Sequence, residues 1–172
     1  MVSPGSMIST SHAASPVVLV MCTGNVCRSP MAEALLRYYA EQKALEVEIF
    51  SRGLAAPVGR SPHPYAIEVS KANGVPIDPD KRAVAVSTVE MSIATVVLVM
   101  DSEHRRLVQQ RFPTALGKTF LLGQWQNREI VDPINEPMTT FELVWKQCRD
   151  GALSWVDRLY ETGLLKRRAM AS

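Results

Sequence analysis

The chain predicts a single doubly wound α/β domain: a four-stranded parallel sheet with helices on both faces. Three observations carry this. Short apolar runs rich in β-branched residues recur at 17–21, 47–51, 95–100 and 118–122. Their continuity suits strands buried on both faces, as in a parallel sheet. Amphipathic segments at 30–44, 62–73, 102–111 and 137–162 lie between and after those runs, and helices joining parallel strands make right-handed crossovers. At 172 residues, 47% of them hydrophobic, the chain can bury one full core.

The first strand is Val17-Val18-Leu19-Val20-Met21. Cys22-Thr23-Gly24-Asn25-Val26-Cys27-Arg28-Ser29-Pro30 follows it and leads into the first helix. Ser29 fits a helix N-cap and Pro30 the first helical position, where a missing N–H costs nothing. Val47-Glu48-Ile49-Phe50 forms the second strand and Val96-Val97-Leu98-Val99-Met100 the third. In the last helix, Phe141, Val144, Trp145, Cys148, Ala152, Trp155, Val156 and Leu159 make one apolar stripe. Cys148 belongs to that core face. The domain is expected to span 17–163. Met1–Pro16, rich in Ser, Ala, Gly and Pro, reads as a flexible tail without the apolar core of a secretion signal. Residues 164–172 read as a C-terminal tail whose Lys166-Arg167-Arg168 run is solvated.

In a doubly wound sheet the ligand sits at the carboxyl ends of the strands, and Cys22 is such an end. A loop from Thr23 to Ser29 that joins a strand to a helix turns its N–H groups inward, toward an anion. Gly24 permits close backbone approach, and Asn25 tolerates the left-handed region. Arg28 offers a planar fork for two phosphate oxygens. A helix N-terminus and an arginine favour a cysteine thiolate, and the Ser29 hydroxyl can stabilise the sulfur. Phosphate-ester chemistry is the expectation. A net charge of +2 makes no case for nucleic acid or membrane binding. No apolar run is long enough to span a bilayer. Three cysteines make no disulfide framework. There is no metal-ligand spacing or dinucleotide fingerprint, so no metal and no cofactor are expected. Without an export signal the expected location is cytoplasmic.

Residues 22–30 resemble the signature loop of the low-molecular-weight protein tyrosine phosphatases at every fixed position. The resemblance extends to Ser51 at the end of the second strand, to Met100-Asp101 after the third, and to Asp132-Pro133. It implies a two-step mechanism without metal. Cys22 attacks phosphorus, Arg28 and the amides of Thr23, Gly24, Asn25, Val26, Cys27 and Ser29 hold the phosphoryl oxygens, and Asp132 protonates the leaving oxygen. Asp132 then activates the water that releases inorganic phosphate from phosphocysteine. It also implies a redox role for Cys27 as a shield for the nucleophile, against the alternative that Cys27 merely packs under the loop.

The chain departs from its relatives in four places. Ile134 stands where many place an aromatic wall for the phosphotyrosine ring. Arg52 to Ser61 holds no aromatic for the opposite wall. A histidine that braces the loop is replaced by Asp80-Lys81. Arg52 and His63 stand where bacterial relatives often carry Ala and Asp; His63, between two prolines, reads as a surface loop residue.

Two features bear on substrate. Thr23, directly after the nucleophile, is similar to bacterial protein-arginine phosphatases. Leu121-Leu122-Gly123-Gln124-Trp125-Gln126-Asn127 resembles phosphatases encoded with capsule and exopolysaccharide genes, which act on the tyrosine-rich tails of membrane-anchored tyrosine kinases. The second reading is preferred, with a phosphotyrosine protein, such a kinase, as partner. Arsenate reduction shares the loop but needs relay cysteines, and none lies between Cys27 and Cys148. A non-catalytic phosphate-binding module is the remaining alternative.

Overall fold

In the computed structural model, which describes residues 14–170, the first apolar run becomes β1 (Val17–Cys22), buried throughout. There follow α1 (Arg28–Gln42), β2 (Leu45–Glu46), β3 (Glu48–Gly53), α2 (Pro64–Ala72), α3 (Thr88–Ile93) and β4 (Val96–Val99). Then come α4 (Ser102–Arg111), β5 (Thr119–Leu121), α5 (Met138–Glu161) and β6 (Lys166–Arg167). The predicted four-stranded parallel sheet is present, in the order β3-β1-β4-β5. From β1 the chain passes through α1 to β3 on one side, and returns to β4 on the other. That reversal opens a crevice at the carboxyl end of β1.

Successive β1 residues feed opposite layers, as a strand's period of two requires. Val18 and Val20 pack with Leu35 and Leu36 of α1 and with Phe141 and Val144 of α5. Val17, Leu19 and Met21 pack with Met91 of α3 and Val108 of α4. All eight residues of the α5 stripe are buried, Cys148 among them. At Gly151 a Cβ would lie 2.6 Å from the Leu122 carbonyl oxygen, so only glycine lets α5 pack against the end of β5. Trp155 ties the same two elements by donating Nε1–H to the Leu121 carbonyl at 3.0 Å.

Four features differ from expectation. Helix α3 carries a capping box, Ser87 with Glu90, but its six residues are too few to show a helical period. A 3₁₀ segment, Pro113–Lys118, precedes β5. Residues 164–168 are not a free tail. Leu165 is 1% exposed, Lys166–Arg167 pairs antiparallel with Leu45–Glu46, and Arg168 meets Glu41 through two hydrogen bonds of 3.0 Å. The Lys166 and Arg167 side chains do stay exposed. Of the expected N-terminal tail, residues 1–13 lie outside the described residues. Pro16 already belongs to the fold, accepting from the Glu48 N–H at 2.9 Å.

Candidate active site

Loop 23–27 between β1 and α1 is held from outside by its carbonyls. Those of Cys22, Thr23, Val26 and Cys27 accept from the N–H groups of Leu54, Ala55, His63 and Met31 at 2.8–3.3 Å. In a trans peptide the N–H points opposite to the carbonyl before it. Anchoring the carbonyls outward therefore turns the Thr23, Gly24, Cys27 and Arg28 amides inward. α1 begins at Arg28, with Cys27 as an N-cap that makes no side-chain hydrogen bond. Ser29 is therefore not the cap expected from the sequence. Its hydroxyl is used on the sulfur instead, and the first-turn amides remain for an anion.

Asn25 organises the interior of the loop. It adopts φ +56°, a left-handed conformation that a short polar side chain tolerates. Its Nδ2 donates to Ser29 Oγ at 2.8 Å and to Ser51 Oγ at 2.9 Å, and its Oδ1 accepts from the Val84 N–H at 3.0 Å. Because Ser29 Oγ accepts from Asn25, its own proton is free for Cys22 Sγ, 3.0 Å away. The Asn25 N–H donates to the same sulfur at 3.2 Å. Cys22 thus faces two donors, an arrangement that stabilises a thiolate.

The loop is braced without a histidine at 80–81. Val84 supplies a backbone donor to Asn25, and the Lys81 ammonium donates to the Ser51 carbonyl at 3.1 Å. Burial pushes the Lys81 pKa down, opposed by Glu33, whose carboxylate lies 3.4 Å from Nζ. Arg52 is occupied elsewhere, paired with Glu90 at 2.7 Å and stacked on Phe50. His63 is not a plain surface residue. Its Nδ1 accepts from the Tyr65 N–H at the start of α2, and its ring packs on Phe141 with 4.7 Å between centroids.

The Arg28 guanidinium is 3% exposed and anchored along one side only. Nη1 donates to Asp101 Oδ2 at 3.1 Å and to the Ile130 carbonyl at 2.9 Å. Nε–H is buried without a partner among the described residues. Nε and Nη2 make the side-on fork that fits two oxygens of a tetrahedral anion. Asp132 Oδ2 lies 3.7 Å from Nη2. Its Oδ1 accepts from the Ile134 N–H at 3.1 Å, leaving Oδ2 toward the cavity. A cavity of about 320 Å³ joins Cys22, Thr23, Gly24, Val26, Cys27 and Arg28 to Ala55, Pro57, Arg60, Asp132 and Ile134. The fold thus brings the sequence-predicted residues to one place, with Asn25 and Ser29 lying behind the sulfur.

Cys27 and Cys148 are unpaired, and burial holds both thiols protonated, each pushed up to about 12. Trp125 lies away from the cavity, against Trp155 and under Arg158. Sequence reasoning missed His104, which is 1% exposed. Its Nε2 is 3.0 Å from Thr23 Oγ1, and its Nδ1 accepts from the Met100 N–H at 3.1 Å. Burial lowers its pKa, with Asp101 opposing. Asp101, which the sequence offered only as a strand-end match, caps α4 and holds Arg28. No group of ligating side chains is arranged for a metal among the described residues.

Residues 17–164 match the family model described as low molecular weight phosphotyrosine protein phosphatase. The chain is 36% identical to a probable low molecular weight protein-tyrosine-phosphatase, EpsP, of Ralstonia nicotianae, over 85% of this chain and 97% of that one. It is 38% identical to a protein-arginine-phosphatase of Geobacillus stearothermophilus, over 84% of this chain and 93% of that one. Among solved structures, Vibrio vulnificus Wzb in complex with benzylphosphonate superposes with a TM-score of 0.79 at 30% identity, covering 85% of this chain and 100% of that one.

Proposed function

Because the chain belongs to the low molecular weight phosphotyrosine protein phosphatase family, we propose that Cys22, Arg28 and Asp132 carry a phosphotyrosine phosphatase reaction through phosphocysteine. One observation supports this most. A sulfur that meets two donors shares one cavity with an arginine fork whose Nε–H has no partner among the described residues, and with the Asp132 carboxylate 3.7 Å from Nη2 of that fork.

Each step follows from those contacts. The Cys22 thiolate attacks phosphorus, forming the S–P bond as the bond to the ester oxygen breaks. Charge on the equatorial oxygens is met by Nε and Nη2 of Arg28 and by the loop amides, preorganised before substrate arrives. The proton on Asp132 Oδ2 moves to the departing oxygen. Asp132, now ionised, takes a proton from a water that attacks phosphorus. The S–P bond breaks, inorganic phosphate leaves, and the Ser29 hydroxyl and Asn25 N–H stabilise the departing sulfur. Burial holds the Cys27 thiol protonated, which opposes its attack on an oxidised Cys22 and favours the alternative that Cys27 packs under the loop.

The substrate reading rests on the cavity walls. Val26, Ala55, Pro57 and Ile134 are apolar and suit an aryl ring, while Arg60 offers positive charge at the mouth. A bacterial tyrosine kinase linked to polymer export, reached in the cytoplasm, is the partner favoured by the 121–127 stretch and by the EpsP relative. Three free thiols fit a reducing compartment. A second reading, a protein-arginine phosphatase, draws on the exposed Thr23 beside the nucleophile and on the Geobacillus relative. Phosphate release from phosphotyrosine and phosphoarginine peptides, measured side by side with Cys22→Ser as blank, separates them. Preference for phosphotyrosine is expected. Preference for phosphoarginine overturns the substrate and keeps the loop chemistry.

A further inference from the structure

His104 has no part in the mechanism above, yet it is a buried imidazole whose two nitrogens are both engaged beside the nucleophile. Its tautomer follows from its partners. The Met100 backbone N–H can only donate, so His104 Nδ1 must accept and carry no proton. A neutral ring then holds its proton on Nε2, which donates to Thr23 Oγ1 at 3.0 Å. With its oxygen taken by that donor, the Thr23 hydroxyl turns its own hydrogen elsewhere. Thr23 lines the cavity with Cys22 and Arg28, so the remaining direction leads toward bound substrate.

We propose that His104 is a positioning residue that holds the Thr23 hydroxyl as a hydrogen-bond donor to an oxygen of the bound phosphate ester. The proposal rests on the phosphatase reading of the same cavity. The Met100 N–H enters from the end of β4, and the Thr23 hydroxyl from the loop after β1. His104 sits in the first turn of α4 and is 1% exposed, so the ring stays between these two partners. The charged groups around the imidazole are Asp101 and Glu103 beside it, Arg28 from α1, and Asp132 from the segment before α5. Asp101 Oδ1 lies 3.5 Å from Nδ1. A second proton on His104 would find Asp101 but expel the Met100 N–H, releasing the geometry that aims Thr23.

A double-mutant cycle on an aryl phosphate tests this. Thr23→Val and His104→Phe are each expected to lower kcat/KM about 10-fold, the worth of one transition-state hydrogen bond. The double variant should be no slower than either single one, since both remove the same donor. His104→Gln, which keeps an acceptor for Met100 and a donor for Thr23, is expected within about 3-fold of wild type. Should His104→Phe fail to fold, His104→Leu, which also removes both hydrogen bonds, takes its place in the cycle. Independent losses, 100-fold in the double variant, overturn the proposal, as does a His104→Gln variant as slow as His104→Phe with an unchanged fold. Neither outcome touches the phosphatase reading, which fails instead if Cys22→Ser keeps wild-type turnover.

Discussion

Asn25→Ala removes the side chain that ties the loop together, and its consequence can be worked from the contacts. Asn25 is fully buried, at φ +56°. It makes three hydrogen bonds, to Ser29, Ser51 and Val84, at 2.8–3.0 Å. Each is worth about 1 kcal/mol net, and alanine in the left-handed region adds about 1–2 kcal/mol of strain, so the total loss is about 4–5 kcal/mol. Urea unfolding should show a lower midpoint with an unchanged slope. Asn25→Gly relieves the backbone strain but not the lost bonds, so it should lie about 1 kcal/mol above Asn25→Ala. Turnover should fall in both, because Ser29 loses the donor that directs its hydroxyl to the sulfur. A loss under about 1 kcal/mol with wild-type kcat would refute this account of the loop.

Asp132→Ala should slow aryl phosphates with poor leaving groups far more than activated ones; an equal loss on both would place the proton donor elsewhere. Gly53→Ala should lose about 1–3 kcal/mol of stability by overpacking, with lower kcat/KM. A Cβ there would meet the Thr23 carbonyl and Ala56, each at 2.8 Å. An unchanged melting temperature would contradict that contact. Burial lowers the His104 pKa, so the folded state binds fewer protons there than the unfolded chain. Stability should therefore fall as pH drops below about 6.5, and more steeply in wild type than in His104→Gln, with no contribution above that value. Identical slopes in urea titrations from pH 7 to 5 would remove His104 from the pH dependence.

What could be read from sequence was local. The 22–30 loop, the β1 run and the α5 stripe each carry their pattern within a few residues, and all are found where expected. What escaped was long-range. Thr23 and His104 are 81 residues apart, Asn25 and Val84 are 59 apart, and Arg28 and Ile130 are 102 apart. No hydrophobic period marks such pairs, because they exist only once β1, β4 and the segment before α5 are brought together. The brace at 80–81 was missed for a related reason. The Val84 backbone N–H holds Asn25 while the Lys81 ammonium reaches the Ser51 carbonyl, and a backbone donor leaves no trace in the residue names. Ser29 was misread as a cap because a hydroxyl at a helix start has two possible partners. The sulfur contact expected from the sequence is present, and the cap is not, because α1 already starts at Arg28.

The central claim is that phosphoryl transfer passes through Cys22. The direct measurement is rapid acid quench of Asp132→Ala during turnover of an activated aryl phosphate, followed by mass spectrometry of the peptide that holds residues 22–28. Loss of the general base slows hydrolysis of the intermediate, so a phosphoryl group should be found on Cys22 and absent from the same peptide of Cys22→Ala. Turnover with no phosphoryl group on Cys22, or with one on another residue, would contradict the account.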